Sequence, residues 1–357
     1  MSDTKNNHAQ APDPGALKGK SLLVVGAGGF IGGFIAARGL ELGMDVTVAV
    51  RETTSRRYLT DPRLRFLVLD YDTPGALKNA LADFVSAEGN PPRWDYIIYN
   101  LGATKAVNYL DFKRVNYEYL RSFTEALREL RLYPGKFLYM SSLSALGPGD
   151  EKTYAPLTDD MRPAPNTRYG QSKIMAETFI EHMSGLPYII FRPTGVYGPH
   201  EKDYLMMIKS IDSHFDFGVG FRRQELTFIY VDDLVEAMFM ALASDAVNRR
   251  YIISESRAYT QGEFRRIVAD ALGRRFVIPV CLPLWATWVA SAVAEKIGKA
   301  RLKASTLNRD KYRIMRQRNW NADTSAARRD FGFEARTDLR EGIARTVKAY
   351  CDGKRKK

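Results

Sequence analysis

Tyr169 and Lys173 stand four residues apart in Tyr169-Gly170-Gln171-Ser172-Lys173. On a helix that spacing puts both side chains on one face, about 6 Å apart along the axis. A phenol ionising near pH 10 is a poor proton shuttle at neutral pH. A neighbouring ammonium favours the phenolate, and a shift of three units would need about 4 kcal/mol. Such a pair suits general acid/base work. A Tyr/Lys pair at this spacing also arises by chance on exposed helices, so its neighbours matter. Tyr139-Met140-Ser141-Ser142 closes an apolar run, and a serine hydroxyl there can donate to a substrate carbonyl while Tyr169 supplies the proton.

A second constellation lies near the start of the chain. The apolar run 21–25 leads directly into Gly26-Ala27-Gly28-Gly29-Phe30-Ile31-Gly32-Gly33. A glycine-rich turn between a strand and a helix lets backbone approach a pyrophosphate, and the helix N-terminus favours its charge. Glycine clusters also make ordinary turns, so the surrounding pattern has to decide. After the next apolar run, 45–50, comes Arg51, with Arg56 and Arg57 close behind. An acidic residue at that position would bind the ribose hydroxyls of NAD, whereas an arginine accommodates a 2′-phosphate. Each charge-assisted hydrogen bond is worth about 1.5–3 kcal/mol, so NADP(H) is expected over NAD(H). Exposed loop charges are the alternative.

The elements that must position these residues follow from periodicity. Apolar runs at 21–25, 45–50, 65–69, 96–99, 136–140 and 187–191 read as buried strands, separated for the most part by helical segments. Helices are expected over 34–42, stopped by Gly43, and from Tyr169 to about His182. This alternation predicts an α/β fold, a doubly wound parallel (Rossmann) sheet with its ligand at the carboxyl ends of the strands, and a smaller C-terminal substrate-binding domain. The expected boundaries are 1–19 for a disordered leader, 20–194 with 228–254 for the dinucleotide-binding domain, 195–227 with 255–350 for the substrate domain, and 351–357 for a basic tail.

Taken together, these motifs resemble the extended short-chain dehydrogenase/reductases, the NAD(P)-dependent epimerase/dehydratase family. The matching pieces are Gly26, Gly29 and Gly32; Asp70 after the third strand; and Ser141-Ser142-Leu143-Ser144-Ala145-Leu146-Gly147. Tyr169 to Lys173, Phe191-Arg192-Pro193-Thr194-Gly195-Val196-Tyr197-Gly198-Pro199 and Phe228-Ile229-Tyr230-Val231-Asp232-Asp233-Leu234 continue the match. Trp320-Asn321-Ala322-Asp323 and Phe331-Gly332-Phe333 look like the family's C-terminal pattern, so the resemblance covers about 20–350. It implies Tyr169 as general acid/base, Lys173 as its modulator and ribose contact, Ser142 as the carbonyl-orienting hydroxyl, and Asn116 as the family's helix asparagine. Phe30 and Ile31 belong to the glycine-rich turn. Asp70 and Tyr71 would meet the adenine end, with Leu101, Gly102 and Ala103 lining the cofactor.

Departures from the family pattern narrow the chemistry. The acidic pair that 4,6-dehydratases carry after the hydroxyl residue is replaced by Leu143 and Ser144. The arginine with which nucleotide-sugar epimerases bind diphosphate falls on Leu226, although Arg222 and Arg223 lie near enough to substitute. With Arg51, the chain is most similar to the dihydroflavonol reductase and 3β-hydroxysteroid dehydrogenase side. The resemblance therefore implies hydride transfer between nicotinamide and a carbonyl or secondary alcohol of a fairly apolar small-molecule substrate. An NAD-dependent nucleotide-sugar 4-epimerase and a non-catalytic cofactor-binding regulator stay open. Residues after Pro199 and between Asp203 and Arg223 are expected to contribute to the pocket.

Composition sets outer limits. The 357 residues are 45% hydrophobic and 26% charged, ordinary for globular chains and unlike disordered, collagenous or coiled-coil ones. Cys281 and Cys351 form neither a disulfide framework nor a metal cluster, so a reducing cytoplasmic setting and no metal are expected. The net charge is +12; residues 299–357 hold 18 Lys/Arg against 7 Asp/Glu, a net of +11, leaving about +1 for the rest. That asymmetry fits a solvated basic face or a surface for anions. No nucleic-acid-binding motif accompanies it. The 19 residues 276–294 carry no charge, but Pro279 and Pro283 interrupt them. A strand over 276–280 and a helix over about 284–297 is the better reading, with Trp285, Trp288, Val289, Ala292 and Val293 at core-facing spacing. Peripheral contact with an anionic membrane, and a homodimer of the kind the family often forms, stay open.

Overall fold

The structure is a computed structural model that describes residues 13–301, 305 and 307–355. Its strands are β1 (Ser21–Val25), β2 (Asp45–Val50), β3 (Arg65–Val68), β4 (Tyr96–Tyr99), β5 (Lys136–Met140) and β6 (Tyr188–Pro193). The short β7 (Gly195–Tyr197), β8 (Phe215–Val219), β9 (Glu225–Leu226) and β10 (Phe228–Tyr230) follow, then β11 (Arg249–Ile253), β12 (Tyr259–Thr260) and β13 (Ile278–Leu282). The helices are α1 (Phe30–Glu41), α2 (Ala76–Ser86), α3 (Tyr109–Lys113), α4 (Tyr119–Glu129), α5 (Arg168–Glu181) and α6 (Lys202–Asp212). After them come α7 (Val231–Ala243), α8 (Gln261–Ala271), α9 (Leu284–Ala300), α10 (Arg309–Arg316), α11 (Ser325–Phe331) and α12 (Leu339–Arg355).

Seven strands form one sheet in the order β11-β6-β5-β4-β1-β2-β3, and every pairing is parallel. The period-2 geometry of a strand explains its two cores. Leu22 and Val24 of β1 pack with Ile35, Leu40, Val235 and Phe239 of α1 and α7. Leu23 and Val25 pack on the other face with Leu120, Phe123, Ala176 and Ile180 of α4 and α5. Both faces are covered, so the strands read as continuous apolar runs. Strand order reverses between β1 and β4, the switch point at which an open α/β sheet forms its ligand crevice.

Several expectations need correction. α1 begins at Phe30 rather than 34, immediately after the glycine-rich turn, and the seventh strand β11 was not foreseen. Residues 1–12 of the expected leader lie outside the described residues. Pro14–Leu17 form a 3-10 turn whose Leu17 is buried in the core, so the leader reading does not extend to these. In the basic tail, Lys356 and Lys357 lie outside the described residues, and Lys354 is paired with Asp212 at 2.6 Å. The largest correction concerns α9. Trp285, Trp288, Val289 and Val293 are exposed, and Thr287, Ser291 and Glu295 are the buried positions. Spacing identified the apolar stripe, but the body of the molecule offers that helix a polar seat. Among the described residues no helix is long and apolar enough to cross a membrane.

Candidate active site

A cavity of about 1050 Å³ runs from the glycine-rich turn to the C-terminal elements. Its first wall is the β1–α1 turn. Gly26 has φ +84°, and a Cβ there would lie 2.7 Å from the Leu101 amide nitrogen, so only glycine lets the turn cross the end of β4 this closely. Gly28, Gly29, Phe30 and Ile31 also line the cavity. Gly32 does not; it faces Gly26 and Ala27 and sets the close packing of α1 on the turn. Gly29 caps α1 without a side-chain hydrogen bond, leaving the first amides and the positive end of the helix dipole without a protein acceptor from that cap.

The second wall follows β2, β3 and β4. Arg51, Thr54, Leu69, Tyr71, Leu101 and Gly102 line it. Of the three expected arginines only Arg51 reaches the cavity; Arg56 and Arg57 lie over the rings of Phe66 and Tyr58, at 4.5 and 5.0 Å. Asp70 is exposed and does not line the cavity. Its carboxylate accepts from the amides of Asp72 and Thr73 at 2.9 and 3.3 Å, and the Thr73 side-chain hydrogen bond first, then these amides, hold its pKa down. Asn116 is fully buried within a π-helical turn (Arg114–Glu118) between α3 and α4. Its Oδ1 accepts from the Ala103 amide at 2.7 Å and its Nδ2 donates to the Ala103 carbonyl at 3.1 Å and to Ser172 Oγ at 2.9 Å. Asn116 and Ala103 therefore shape the loop behind the lining rather than the lining itself.

The third wall holds Ser141, Ser142, Tyr169 and Lys173. Thr167 caps α5 by accepting from the Gly170 amide at 3.0 Å. Gly170 lets α5 rest directly on the 3-10 turn Leu143–Ala145, since a Cβ would lie 2.2 Å from the Ser144 carbonyl oxygen. That contact brings Ser142 to Tyr169. Burial pushes the Tyr169 phenol up to about 12, with a hydrogen bond to Ser142 opposing the rise. Burial lowers Lys173 to about 7, and the Glu177 carboxylate opposes this. Lys173 Nζ donates to the Met140 carbonyl at 2.7 Å. Gly102 sits beside it: a Cβ there would lie 3.1 Å from Lys173 Nζ and 3.2 Å from Asn116 Oδ1.

Sequence reasoning missed the support beneath this wall. Glu177, one turn beyond Lys173, is fully buried against Arg192 of β6, with Nε–Oε2 at 3.1 Å and Nη2–Oε2 at 2.5 Å. Ser141 Oγ donates to the same carboxylate. The i,i+4 step from Lys173 was a visible signal for Glu177; its ion pair with β6 was not. Asp310 of α10, which accepts from the Tyr169 amide at 3.2 Å, also went unforeseen.

The remaining wall sets Phe112, Met206, Met207, Phe217, Leu226, Met315 and Trp320 beside Glu201, Asp203, Asp216, Gln224, Gln261 and Lys311. Lys105 and Lys311 both bind Asp203, at 2.5 and 3.1 Å. Arg222 and Arg223 lie outside this cavity, in a smaller cleft with Glu151, Lys152 and Tyr154. Arg51 is the cavity's only arginine among the described residues. The whole fits a dinucleotide along the first two walls, where turn amides, the uncapped helix and Arg51 suit phosphates, and Val25, Ala49, Val50 and Leu69 suit a base.

Residues 22–254 match the NAD dependent epimerase/dehydratase family. The short-chain dehydrogenase/reductase family 42E member 1 of Bos taurus is 25% identical over 280 residues, 72% of this chain and 68% of that protein. The macaque form (Macaca fascicularis) aligns over only 32% of its own length. A putative UDP-glucose 4-epimerase of Methanocaldococcus jannaschii is 25% identical over 245 residues, 62% of this chain and 73% of that one. Among solved structures, an epimerase from Methanothermobacter thermautotrophicus superposes with a TM-score of 0.76 at 16% identity, covering 96% of this chain and 95% of the other.

Proposed function

Because the chain belongs to the NAD dependent epimerase/dehydratase family and is an NAD(P)-dependent enzyme of the extended short-chain dehydrogenase/reductase type, we propose that it is an NADP(H)-dependent oxidoreductase acting on the carbonyl or secondary alcohol of a fairly apolar substrate. The observation that carries this reading is the place of Leu226. Leu226 lines the cavity at the position expected for a diphosphate-binding arginine, and no arginine other than Arg51 lines it among the described residues.

A bound dinucleotide would supply or accept the hydride. The turn amides and the α1 N-terminus would hold its pyrophosphate, and Arg51 its 2′-phosphate. In the reductive direction Tyr169, protonated at neutral pH, donates its proton to the carbonyl oxygen while Ser142 holds that oxygen in place. Lys173 would bond the ribose; burial and the Ser142 hydrogen bond, rather than Lys173 as expected, set the Tyr169 shift. Asn116, acting through Ala103, keeps the loop after β4 in position. Thr104 and the Asp203 clasp would border the substrate, with Met207, Met315 and Trp320 against it.

The competing reading is redox-neutral epimerisation of a nucleotide sugar, in favour of which stands the likeness to the M. jannaschii protein. A screen separates the two. NADPH oxidation is expected with apolar ketones and aldehydes, falling by about 10²–10⁴-fold in Tyr169→Phe, the usual contribution of a general acid. Interconversion of UDP-glucose and UDP-galactose, without net NADPH consumption and with no ketone turned over, would contradict the proposal.

A further inference from the structure

α9 is seated the wrong way round for a helix on a globular surface. Its inward positions are polar: Thr287 is 2% exposed and Ser291 is closed from solvent. Their hydroxyls donate back to the carbonyls of Pro283 and Thr287, at 3.2 and 2.7 Å. Glu295, also inward, accepts from Arg168 and from the Arg309 amide. The outward positions are apolar, with Trp285 73%, Trp288 48% and Val293 52% exposed, and Val289 and Ile297 beside them. An amphipathic helix buries its apolar stripe when the protein itself supplies the cover. Here the described residues do not cover it.

The stripe continues into the β8–β13 pair. Their register sets Phe215 beside Ile278 and Phe217 beside Val280 on one face, and Phe215, Phe217, Ile278 and Leu282 are exposed. The Gly220 amide donates to the Leu282 carbonyl at 2.8 Å, and Leu284 at the head of α9 lies next to Gly220. Sheet face and helix stripe therefore form one apolar surface, of the kind that marks an interaction site.

Charge indicates the partner. Exposed Arg275 precedes Phe276, exposed Arg222 follows Phe221, and exposed Lys296 lies on α9 itself, whereas Arg223 is paired with Glu225 at 2.7 Å. The Arg309 guanidinium lies 6.0 Å from the Trp288 ring and 4.0 Å from the Glu295 carboxylate. A second copy meeting this face would set these cations against their own kind, in a chain of net charge +12. Anionic headgroups would pair with them instead. Two exposed tryptophans suit the depth at which headgroups meet acyl chains. We propose that this face docks on an anionic lipid bilayer, with α9 lying flat in the interface. Met206 and Phe217 are exposed and also line the cavity, so the cavity reaches the same face. Delivery of an apolar substrate from the bilayer rests on the function proposed above; the docking surface does not.

The test uses the full chain with vesicles of phosphatidylcholine, alone and with phosphatidylserine, followed by co-sedimentation and tryptophan emission. Binding to the phosphatidylserine vesicles at least tenfold above the neutral ones is expected, with a blue shift in emission. Both should be lost in Trp285→Glu/Trp288→Glu, whose NADPH titration stays that of the wild type because neither residue lines the cavity. No binding to either vesicle would overturn the proposal. So would undiminished binding by the variant, which would assign the contact to the basic residues alone. A dimer in sedimentation equilibrium without lipid, dissolved by the same variant, would overturn it in favour of a second copy. That docking result is independent of whether ketones are turned over.

Discussion

Lys173 shows what one side chain at this site costs the fold. An ordinary lysine holds its proton to about 10.4, and burial brings this one to about 7. Below pH 7 both folded and unfolded chains carry the charge, and the folded chain bears the penalty of burying it. Between about 7 and 10 the unfolded chain binds the extra proton, so stability from this site rises with pH, by up to about 1.4 kcal/mol per unit. In urea unfolding of the cofactor-free protein, Lys173→Met is expected to be more stable than the wild type below pH 7, with the difference shrinking as pH rises. A difference that does not change with pH would contradict this. Tyr169, Lys173 and Ser142 were legible because helix spacing and a strand end are local properties. Asp310 was not, because its bond to Tyr169 spans 141 residues and a lone aspartate carries no periodic signal.

At the scale of elements, the buried pair Glu177–Arg192 ties α5 to β6 under the wall that holds Ser142, Tyr169 and Lys173, with Ser141 of the β5 end bonded to the same carboxylate. Removing one partner leaves an uncompensated buried charge. Arg192→Leu should therefore lower the unfolding free energy by about 3–5 kcal/mol, and Glu177→Leu/Arg192→Leu should regain a good part of it. Equal losses in the single and double variants, measured by denaturant unfolding, would show that packing, not charge, is what the pair supplies. The sheet strands were readable because both faces are covered and the runs are continuously apolar. α1 starts four residues before the first position that helical spacing marks, because glycines mask periodicity. On α9, spacing reports that an apolar stripe exists; it does not report which side of the helix the rest of the chain covers. The π-helical turn around Asn116 had no sequence signal at all.

For the whole molecule, one cavity joins the strand ends of the sheet to the C-terminal elements, and its two regions differ in chemistry. The region along β1, β2 and β3 offers amides, a helix N-terminus and Arg51. The region among α6, β8, β9 and α10 offers methionines, Phe217, Leu226 and the lysines bound to Asp203. Periodicity and spacing made the first region legible in advance. The second is assembled from residues scattered between 105 and 320, which only the fold brings together. The measurement that bears most directly on the proposed chemistry is a fluorescence titration of the purified protein with NADPH, NADP, NADH and NAD, together with identification of any copurifying nucleotide. Exchangeable NADPH should bind at least tenfold more tightly than NADH, consistent with one charge-assisted contact to the 2′-phosphate, and Arg51→Ala should remove that preference. Tightly retained NAD with no preference for the 2′-phosphate would contradict NADP(H)-dependent turnover and favour the redox-neutral epimerase.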